Sequence, residues 1–358
     1  MADRKNPYRP GTSEYKAWNM ANQMDDMLEE TLAKHQAILD KRSIDYGKLI
    51  LPTWRKVETG LLASIKELYA KYAGPDGKLM GAKLTEAARL QELQRMALGM
   101  IRTLEGQADL LENHIAFTYV DSVNFNTWAL EQATNITVAT PVLTYPQVMG
   151  VIANPWLPDG KTYSDRIRAN TANLALKMDE TILQATTQGW DLPKTARKVR
   201  DEAGESYDRA LTLARTEMNR AASLASSHSF IQNSDILGGK RWVATLDIRT
   251  APKDADNDGK IYDVAYDTPE MPGTPGQRIP NHPNCRCKYS PVVDGMSKKI
   301  RERIARGDGD TLDNYGQRYY TKAQTYREYA KERGLPDLDE RLAKDNPKKY
   351  LRRGEKAS

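Results

Sequence analysis

Cysteine is scarce in this chain of 358 residues: Cys285 and Cys287 are the only two, and a single residue separates them. Two thiols so close together cannot supply the well-separated bridges that stabilise a small secreted domain. Long apolar runs are also missing. No stretch approaches the roughly 18 to 20 consecutive apolar residues of a membrane-spanning helix, and the first residues lack the apolar centre of a secretory signal. We therefore expect a soluble protein made for a reducing cytoplasm.

Familiar enzyme signatures are missing as well. Gly160, Lys161 and Thr162 end like a phosphate-binding loop, but Pro155 stands where that loop needs a glycine. The sequence has no Gly-x-Ser-x-Gly elbow, no His-Glu-x-x-His helix and no His-x-Glu to accompany a deaminase-type cysteine pair. The four histidines are widely scattered. These absences predict a protein that is not an enzyme.

Charge is abundant but nearly balanced, with 53 Lys and Arg against 48 Asp and Glu and a formal net charge of +5. The excess lies in the tail, because residues 288–358 contain 18 basic and 12 acidic residues. A basic segment can attract nucleic acid, although interspersed acidic residues dilute its field. The candidate contacts to DNA phosphates are Lys298, Lys299, Arg301, Lys348, Lys349, Arg352 and Arg353.

Helical periodicity dominates the first 135 or so residues. From Ile50 to Tyr72 apolar residues recur at intervals of three and four, as on a helix with one buried face, and Gly74 and Pro75 then predict its end. Similar seams run from Met20 to Leu39 and from Leu84 to Ile115. Their lengths favour an elongated helical bundle or a coiled coil in the N-terminal region.

The remaining pattern predicts a mainly α fold with a small, compact α+β module and a basic helical tail. Four prolines among β-branched residues indicate an irregular connection between about Asn135 and Asp159. Helices are then predicted at 163–189, 192–203 and 207–230, and a strand at 241–248 with a partner at 261–264. The predicted domains are a helical region at 1–140, a connector at 141–153, the compact module at 154–292 and the C-terminal extension at 293–358.

The densest group of potential metal ligands is His282, Cys285 and Cys287. Zinc prefers about four ligands in a tetrahedron, so a fourth must come from elsewhere, and Asp254 is a candidate. Three protein ligands with a water in the fourth position are an alternative that is typical of hydrolytic zinc. Two reduced, partly buried thiols beside a surface histidine, or a strained disulfide, are the remaining interpretations.

A second group of oxygen donors consists of Asp254, Asp256 and Asp258, with Gly259 at the sixth position. This spacing is similar to the start of a calcium-binding loop. The closing carboxylate is missing, because the twelfth position is Ala265. The three carboxylates therefore predict either a weak site for a hard cation such as calcium or an Asp-rich turn without an ion.

Arg215 and Glu217 stand two residues apart on a predicted helix. Residues at that spacing face different directions, so these two cannot pair with each other. No nucleophile accompanies them, and we therefore interpret them as members of buried structural ion pairs with other partners.

Several short motifs follow one another over the middle of the chain. They are Pro155 to Ile167, Ala214 to Glu217, Arg241 and Trp242, Asp247 with Arg249 and Thr250, Asp258 and Gly259, and Pro280 to Cys287. Their order and spacing resemble those of motifs in the phage Mu F-like minor head protein family, over roughly Pro155 to Val292. In that family a Cys or His usually follows the Arg-Thr pair and often recurs three residues later, where this chain has Ala251 and Asp254.

The resemblance implies a minor capsid protein that acts in head morphogenesis of a tailed phage. Its implied location is the virion, inside the capsid, and the host cytoplasm during assembly. Its implied partners are the portal protein, the scaffold or major capsid protein and, without sequence specificity, packaged double-stranded DNA, with no membrane involved. The residues alone leave an alternative open, a metal-dependent hydrolase or nuclease with a site of His282, Cys285, Cys287 and Asp254.

Overall fold

The computed structural model describes residues 9–79, 87–141, 143–155, 160–268, 271, 273–274, 276–294, 303–306, 318–321 and 325–345. The helices are α1 (Ser13–Tyr72), α2 (Ala87–Arg102), α3 (Gln107–Thr134), α4 (Tyr145–Ala153), α5 (Tyr163–Thr187), α6 (Leu192–Gln232), α7 (Pro252–Asn257), α8 (Tyr326–Glu332) and α9 (Leu338–Lys344). The strands are β1 (Leu237–Val243), β2 (Ile261–Tyr262), β3 (Lys288–Val293), β4 (Arg303–Arg306) and β5 (Arg318–Thr321). The predicted fold class, mainly α with a small α+β module, is confirmed.

Helix α1 buries the seam that its sequence predicts. The helix begins after Thr12, whose hydroxyl accepts a hydrogen bond from the backbone N–H of Tyr15 (3.1 Å) and so caps the first turn. Apolar residues recur from Ile50 to Leu68 at helical spacing, and their side chains are buried. The helix ends at Tyr72, at the predicted turn.

The predicted seam from residue 84 to 115 belongs to two helices. Helices α2 and α3 are separated by a turn at residues 103–106, where the hydroxyl of Thr103 donates to the carbonyl of Met100 (2.6 Å). Ile101, Leu104 and Leu111 are nevertheless all buried. The apolar spacing therefore continues through the turn, which is why periodicity alone did not reveal the break.

Two further helix predictions need correction. The helices predicted at 192–203 and 207–230 are one helix, α6, because Gly204 lies between good helix formers that offset its cost of about 1 kcal/mol. The predicted irregular connection contains α4, which begins with a capping box formed by Thr144 and Gln147. Pro146 is compatible with this helix because its first turn needs no N–H donor at that position.

The sheet places β1 between β2 and β3, and both neighbours are antiparallel to it. The predicted pairing of the strand near residue 241 with residues 261–264 is confirmed by the register Arg241 to Ile261. Strand β3 was not predicted, because Pro291 placed it within a proline-rich loop. The edge position of β3 accommodates this proline, since an edge strand has backbone N–H groups that need no partner in the sheet.

The tail is only partly helical in the described residues. Strands β4 and β5 pair antiparallel, and α8 and α9 follow them. The predicted helical tail therefore contains two helices and also a pair of strands that was not predicted. Helix α8 has a capping box of Thr325 and Glu328, and the side chain of Asp337 accepts two backbone N–H bonds at the start of α9.

Two compact units divide the chain, and each combines separate stretches of sequence. The first comprises the described parts of Met1–Arg42, His114–Gly160 and Arg215–Ser358, and the second those of Ser43–Asn113 and Lys161–Ala214. The consecutive domains predicted from the sequence remain predictions. Among the described helices, none combines the length and apolar character needed to cross a bilayer.

Each unit has its own core. In the first unit, Trp242 of β1 is fully buried and packs edge-on against Tyr289 of β3, with 5.8 Å between the ring centroids. In the second unit, the indole N–H of buried Trp54 donates to the side-chain oxygen of Gln107 (3.0 Å). The candidate metal ligands, at residues 254 to 287, all belong to the first unit.

Candidate functional site

Three of the four predicted metal ligands lie together in the first unit. Asp254 is on α7, while His282 and Cys285 are in the loop before β3, and one ligand atom from each lies within 4.8 Å of the other two. Nε2 of His282 is 3.0 Å and Sγ of Cys285 is 3.6 Å from Oδ2 of Asp254. The second carboxylate oxygen, Oδ1, accepts from the amide of Asn281 (3.1 Å). The buried carboxylate of Asp254 is thus the centre of the cluster.

The ring of His282 is oriented by a backbone carbonyl. Its Nδ1 lies 2.8 Å from the carbonyl oxygen of Pro283, and because a carbonyl can only accept, Nδ1 carries the proton. This leaves Nε2 directed at Asp254. Burial alone would lower the pKa of His282, but the hydrogen bond and the charge of Asp254 outweigh it and raise the pKa to about 9. At neutral pH the pair is therefore ionised when no metal is bound.

The pKa of the Asp254 carboxyl moves in the opposite direction. Burial acts to raise it, but the hydrogen bonds from His282 and Asn281 outweigh burial and hold the pKa below its ordinary value. Hydrogen bonding to the ionised form of a carboxylate stabilises that form. Asp254 therefore stays charged, as a metal ligand must be.

Both cysteines are buried and carry free thiols, so the disulfide interpretation was wrong. Burial raises the pKa of the Cys287 thiol well above its ordinary value, and its interactions with Cys285 and Asp254 raise it further. A thiol is nucleophilic as the thiolate, which this environment disfavours. The thiol of Cys287 is therefore held in its protonated form, and Cys287 is not among the three residues whose ligand atoms converge.

Helix α6 holds the loop that carries these ligands. The hydroxyl of Thr216 accepts from the backbone N–H of Asn284 (2.6 Å). The amide of Asn219 donates to the carbonyl oxygens of both Cys285 (3.0 Å) and Cys287 (3.1 Å). These three contacts fix the backbone on both sides of the thiols.

The interpretation of Glu217 as a buried ion-pair residue is confirmed, and its partner is Arg220, one turn further along α6 (3.4 Å). Arg220 also donates to the carbonyl oxygens of Ile152 (2.9 Å) and Asn154 (2.6 Å), at the C-terminal end of α4. Carbonyls at a helix C-terminus have no partner within the helix, and the guanidinium satisfies them. Arg215 is also buried.

Asp247 organises the segment between β1 and α7. The guanidinium of Arg286 binds both of its carboxylate oxygens, with 2.9 Å between Nη2 and Oδ1. The backbone N–H of Arg249 (2.9 Å) and the hydroxyl of Thr250 (3.1 Å) also donate to Oδ1. Burial would raise the pKa of Asp247, but the bonds from Arg286 outweigh it, so the pKa is lowered. The predicted motif residues therefore form one hydrogen-bond network with the ligand loop.

The C-terminal helices complete this network. The hydroxyl of Tyr326 donates to the carbonyl oxygen of Asp247 (3.0 Å), and its backbone N–H donates to Oδ2 of Asp258 (2.7 Å). Arg341 donates to the carbonyl oxygen of Thr250 (2.5 Å) and to the hydroxyl of Tyr326 (3.0 Å). Residues from α8 and α9 thus support a site formed by residues much earlier in the chain.

A solvent-connected cavity of about 230 Å³ adjoins the cluster. Its lining contains positively charged, hydroxyl and amide side chains together with two of the three clustered ligands. The lining residues are Thr245, Arg249, Thr250, Ala251, Asp254, His282, Pro283, Asn284, Arg286 and Cys287.

The part of the chain that carries these residues is similar to a known protein family. Residues 177–290 match the family described as phage Mu protein F like protein. This segment is therefore similar to the Mu F-like family. The predicted resemblance is thereby confirmed, and it supports a role in phage head morphogenesis.

A protein from Enterococcus faecalis (strain ATCC 700802 / V583), named NAD(+)--arginine ADP-ribosyltransferase EFV, is 28% identical to the chain over 204 residues. The matched region covers 54% of this chain and 40% of that protein, so the chain spans less than half of its relative's length. The ADP-ribosyltransferase activity in this name is that of the relative. No solved structure matches the chain.

The three carboxylates of the predicted calcium loop have different partners. Asp254 belongs to the cluster with His282, whereas Asp256 lies 3.1 Å from the ammonium of Lys260. Asp258 accepts from backbone N–H groups at residues 244 and 326. Helix α7 covers the first part of this segment, so the loop in which alternate carboxylates face one ion is not formed. In this structure the three carboxylates therefore do not converge on one point, and calcium binding by this segment stays a prediction.

Two other residues of the Mu F-like motifs have structural roles. The backbone N–H of Gly259 donates to the carbonyl oxygen of Trp242 (2.9 Å), and Gly259 has a φ of 83°, which favours glycine. Trp242 is a core residue. The seven predicted DNA-contacting residues of the tail, from Lys298 to Arg353, lie outside the described residues.

Sequence reasoning missed four residues of the site. Thr216 was predicted only as part of a motif, and no role was predicted for Asn219, Tyr326 or Arg341. Each acts through backbone carbonyl or N–H groups, which have no signature in the sequence. The spacing of Thr216 and Asn219 by three residues, which places both on one face of a helix, was the available signal.

We expect the imidazole of His282 to titrate near pH 9 in the metal-free chain, and near or below 6.5 in Asp254→Asn. The folded-state pKa lies above the ordinary value of 6.5, so the contribution of the pair is complete below pH 6.5 and is lost as the pH rises to about 9. The loss amounts to about 3 kcal/mol of unfolding free energy. NMR titration of the four histidines and urea unfolding at several pH values measure both effects.

Asp201→Asn is the control for this titration, because Asp201 is exposed and lies in the second unit. It should leave the titration of His282 unchanged. A wild-type His282 that titrates near pH 6.5 would show that the carboxylate contact is not formed.

Proposed function

We propose that the chain is a minor capsid protein that associates with the portal during assembly of a phage head and acts without catalysis. The observation that carries this proposal is that the Mu F-like motif residues link structural elements to one another. Glu217, Trp242, Asp247 and Thr250 are all less than 5% exposed. Side chains so deeply buried hold a fold together and cannot contact a macromolecular substrate.

The first unit also carries an exposed apolar face that suits a protein partner. Phe117, Val120 and Trp128 of α3 are 63%, 45% and 48% exposed. Their spacing places them on one side of the helix. Exposed apolar patches of this kind mark protein contacts, and helix-in-groove docking uses the same spacing. We therefore assign contact with the portal, and with scaffold or major capsid protein, to this side of α3.

Capture of the portal tests this assignment. In the double variant Phe117→Glu/Trp128→Glu, we expect capture of the portal protein from infected cells to fall at least about tenfold, because two charges would be desolvated in the contact. The control is Leu176→Glu/Leu183→Glu, which changes two leucines of α5 that are 62% and 56% exposed. Equal capture by both variants, or equal loss in both with circular dichroism unchanged, would contradict the role of α3.

Contact with packaged DNA is a further part of the proposal, and the positive charge of the tail supports it. If about four phosphates are contacted, affinity for double-stranded DNA should fall roughly hundredfold between about 50 and 200 mM salt, whatever the DNA sequence. Filter binding with the full chain measures this. The test variant changes four basic residues to Gln: Lys348, Lys349, Arg352 and Arg353. The control changes four exposed basic residues of the second unit: Arg55, Lys56, Lys66 and Arg168.

Binding that is insensitive to salt, or that both sets of substitutions weaken equally, would remove DNA contact by the tail from the proposal. Association with the portal would be unaffected by that result, because it depends on α3.

A metal-dependent hydrolase is the second candidate function, and the cluster beside the cavity is the observation that favours it. Carboxylate, imidazole and thiol donors suit zinc, and the bond from Nδ1 of His282 to Pro283 orients Nε2 as in many metal sites. Among the described residues, Oδ1 of Asn281 and Oδ1 of Asn284 are buried without hydrogen-bond partners. The donor set therefore fits a metal.

In such a site Asp254, His282 and Cys285 would hold the zinc, and zinc lowers the pKa of a bound water towards neutrality. The cavity would admit the water. The same three ligands would equally allow a structural zinc that joins α7 to the ligand loop, which is compatible with the capsid role.

Hydrolysis separates the two candidate functions. We expect the zinc-loaded wild-type chain to cleave phosphodiester and peptide substrates no faster than the His282→Gln variant does. Any zinc that binds should raise the melting temperature of the wild type and leave that of His282→Gln unchanged. Elemental analysis and melting curves record binding, and product release records turnover. Zinc-dependent cleavage that His282→Gln and Cys285→Ser abolish would replace the capsid proposal by the hydrolase.

A further inference from the structure

We propose that the cavity of about 230 Å³ beside the ligand cluster binds the carboxylate of an acidic side chain from a partner protein. This site is separate from the apolar face of α3 and does not depend on the identity of the partner. It also does not require metal in the cluster.

The charges that line the cavity favour an anion. Arg249 and Arg286 both line it, and Asp254 is the one carboxylate among the lining residues. Oδ1 of Asp254 accepts from Asn281, and Oδ2 accepts from His282 and Cys285. Its charge is therefore directed towards the cluster and away from an incoming group.

The two arginines have different positions. The guanidinium of Arg286 is held by the carboxylate of Asp247 in a two-point contact, which fixes it in the wall of the cavity and offsets its charge, so the net positive charge of the lining comes from Arg249. Arg249 is an exposed residue that also lines the cavity. Arginine donors in a fixed arrangement are the usual partners of carboxylates in protein contacts.

The size of the cavity limits what can enter it. Pockets for small-molecule ligands measure about 300 to 1,000 Å³, which is more than this cavity offers. A single acidic functional group fits this volume better than a whole nucleotide or metabolite. The cavity therefore suits a side chain that a larger partner inserts.

The rim favours a protein partner over DNA. Ile248 is 51% exposed beside Arg249, and Pro283 of the lining is also exposed. Protein interfaces combine apolar contacts with an enrichment in arginine, whereas a DNA backbone is bound by several basic residues arranged along its phosphates.

The binding of a defined peptide tests the site in the full-length chain. The probe is a fluorescein-labelled peptide with three consecutive glutamates, and its neutral counterpart has three glutamines. We expect fluorescence anisotropy at constant ionic strength to show at least about tenfold tighter binding of the glutamate peptide. Arg249→Gln should weaken this binding about tenfold, whereas Arg209→Gln, an equal change of charge in the second unit, should leave it unchanged.

Several results would overturn the proposal. These are equal binding of the two peptides, equal weakening by the two arginine variants, and displacement by inorganic phosphate or a DNA duplex in preference to the acidic peptide. Melting curves of both arginine variants serve as the control that each variant is folded. The result is independent of portal capture, so failure here leaves the proposed function standing.

Discussion

The side-chain amide of Asn219 is the contact on which the candidate site depends. It donates to two carbonyl oxygens of the ligand loop, at Cys285 and Cys287, and so joins α6 to the backbone on either side of Arg286. A buried carbonyl without a donor costs about 1–3 kcal/mol, so this amide, together with the hydroxyl of Thr216, holds the loop in its observed position. The positions of both thiols relative to Asp254 follow from it.

Buried charges around the loop are paired, and the pairing specifies geometry more than it adds stability. Asp247 is bound by a two-point contact, Glu217 has Arg220 one turn away, and Asp254 faces His282. Desolvation offsets most of the attraction within such pairs, but removing one partner strands the other charge. Each pair therefore tolerates few alternative residues at either position.

The sequence predicted what depends on side-chain spacing and missed what depends on the backbone. The buried face of α1 and the pairing of β1 with β2 followed from apolar periodicity. Convergence of His282 and Cys285 on Asp254 was predicted from donor chemistry, although the sequence left three other interpretations open. Strand β3 was hidden by Pro291, whose effect depends on an edge position that only the tertiary fold creates. Gly204 suggested a break in α6 that the flanking helix formers override.

The docking of α8 and α9 means that the segment matched by the family and the apolar cluster it packs in have different limits. The family match ends at residue 290, yet Leu246 and Ala255 form one apolar cluster with Tyr326 and Leu338. A protein fragment cut at the family limit would expose that cluster to water and leave the carboxylate of Asp258 without one of its two backbone donors. The matched segment is therefore shorter than the part of the chain that packs together with it.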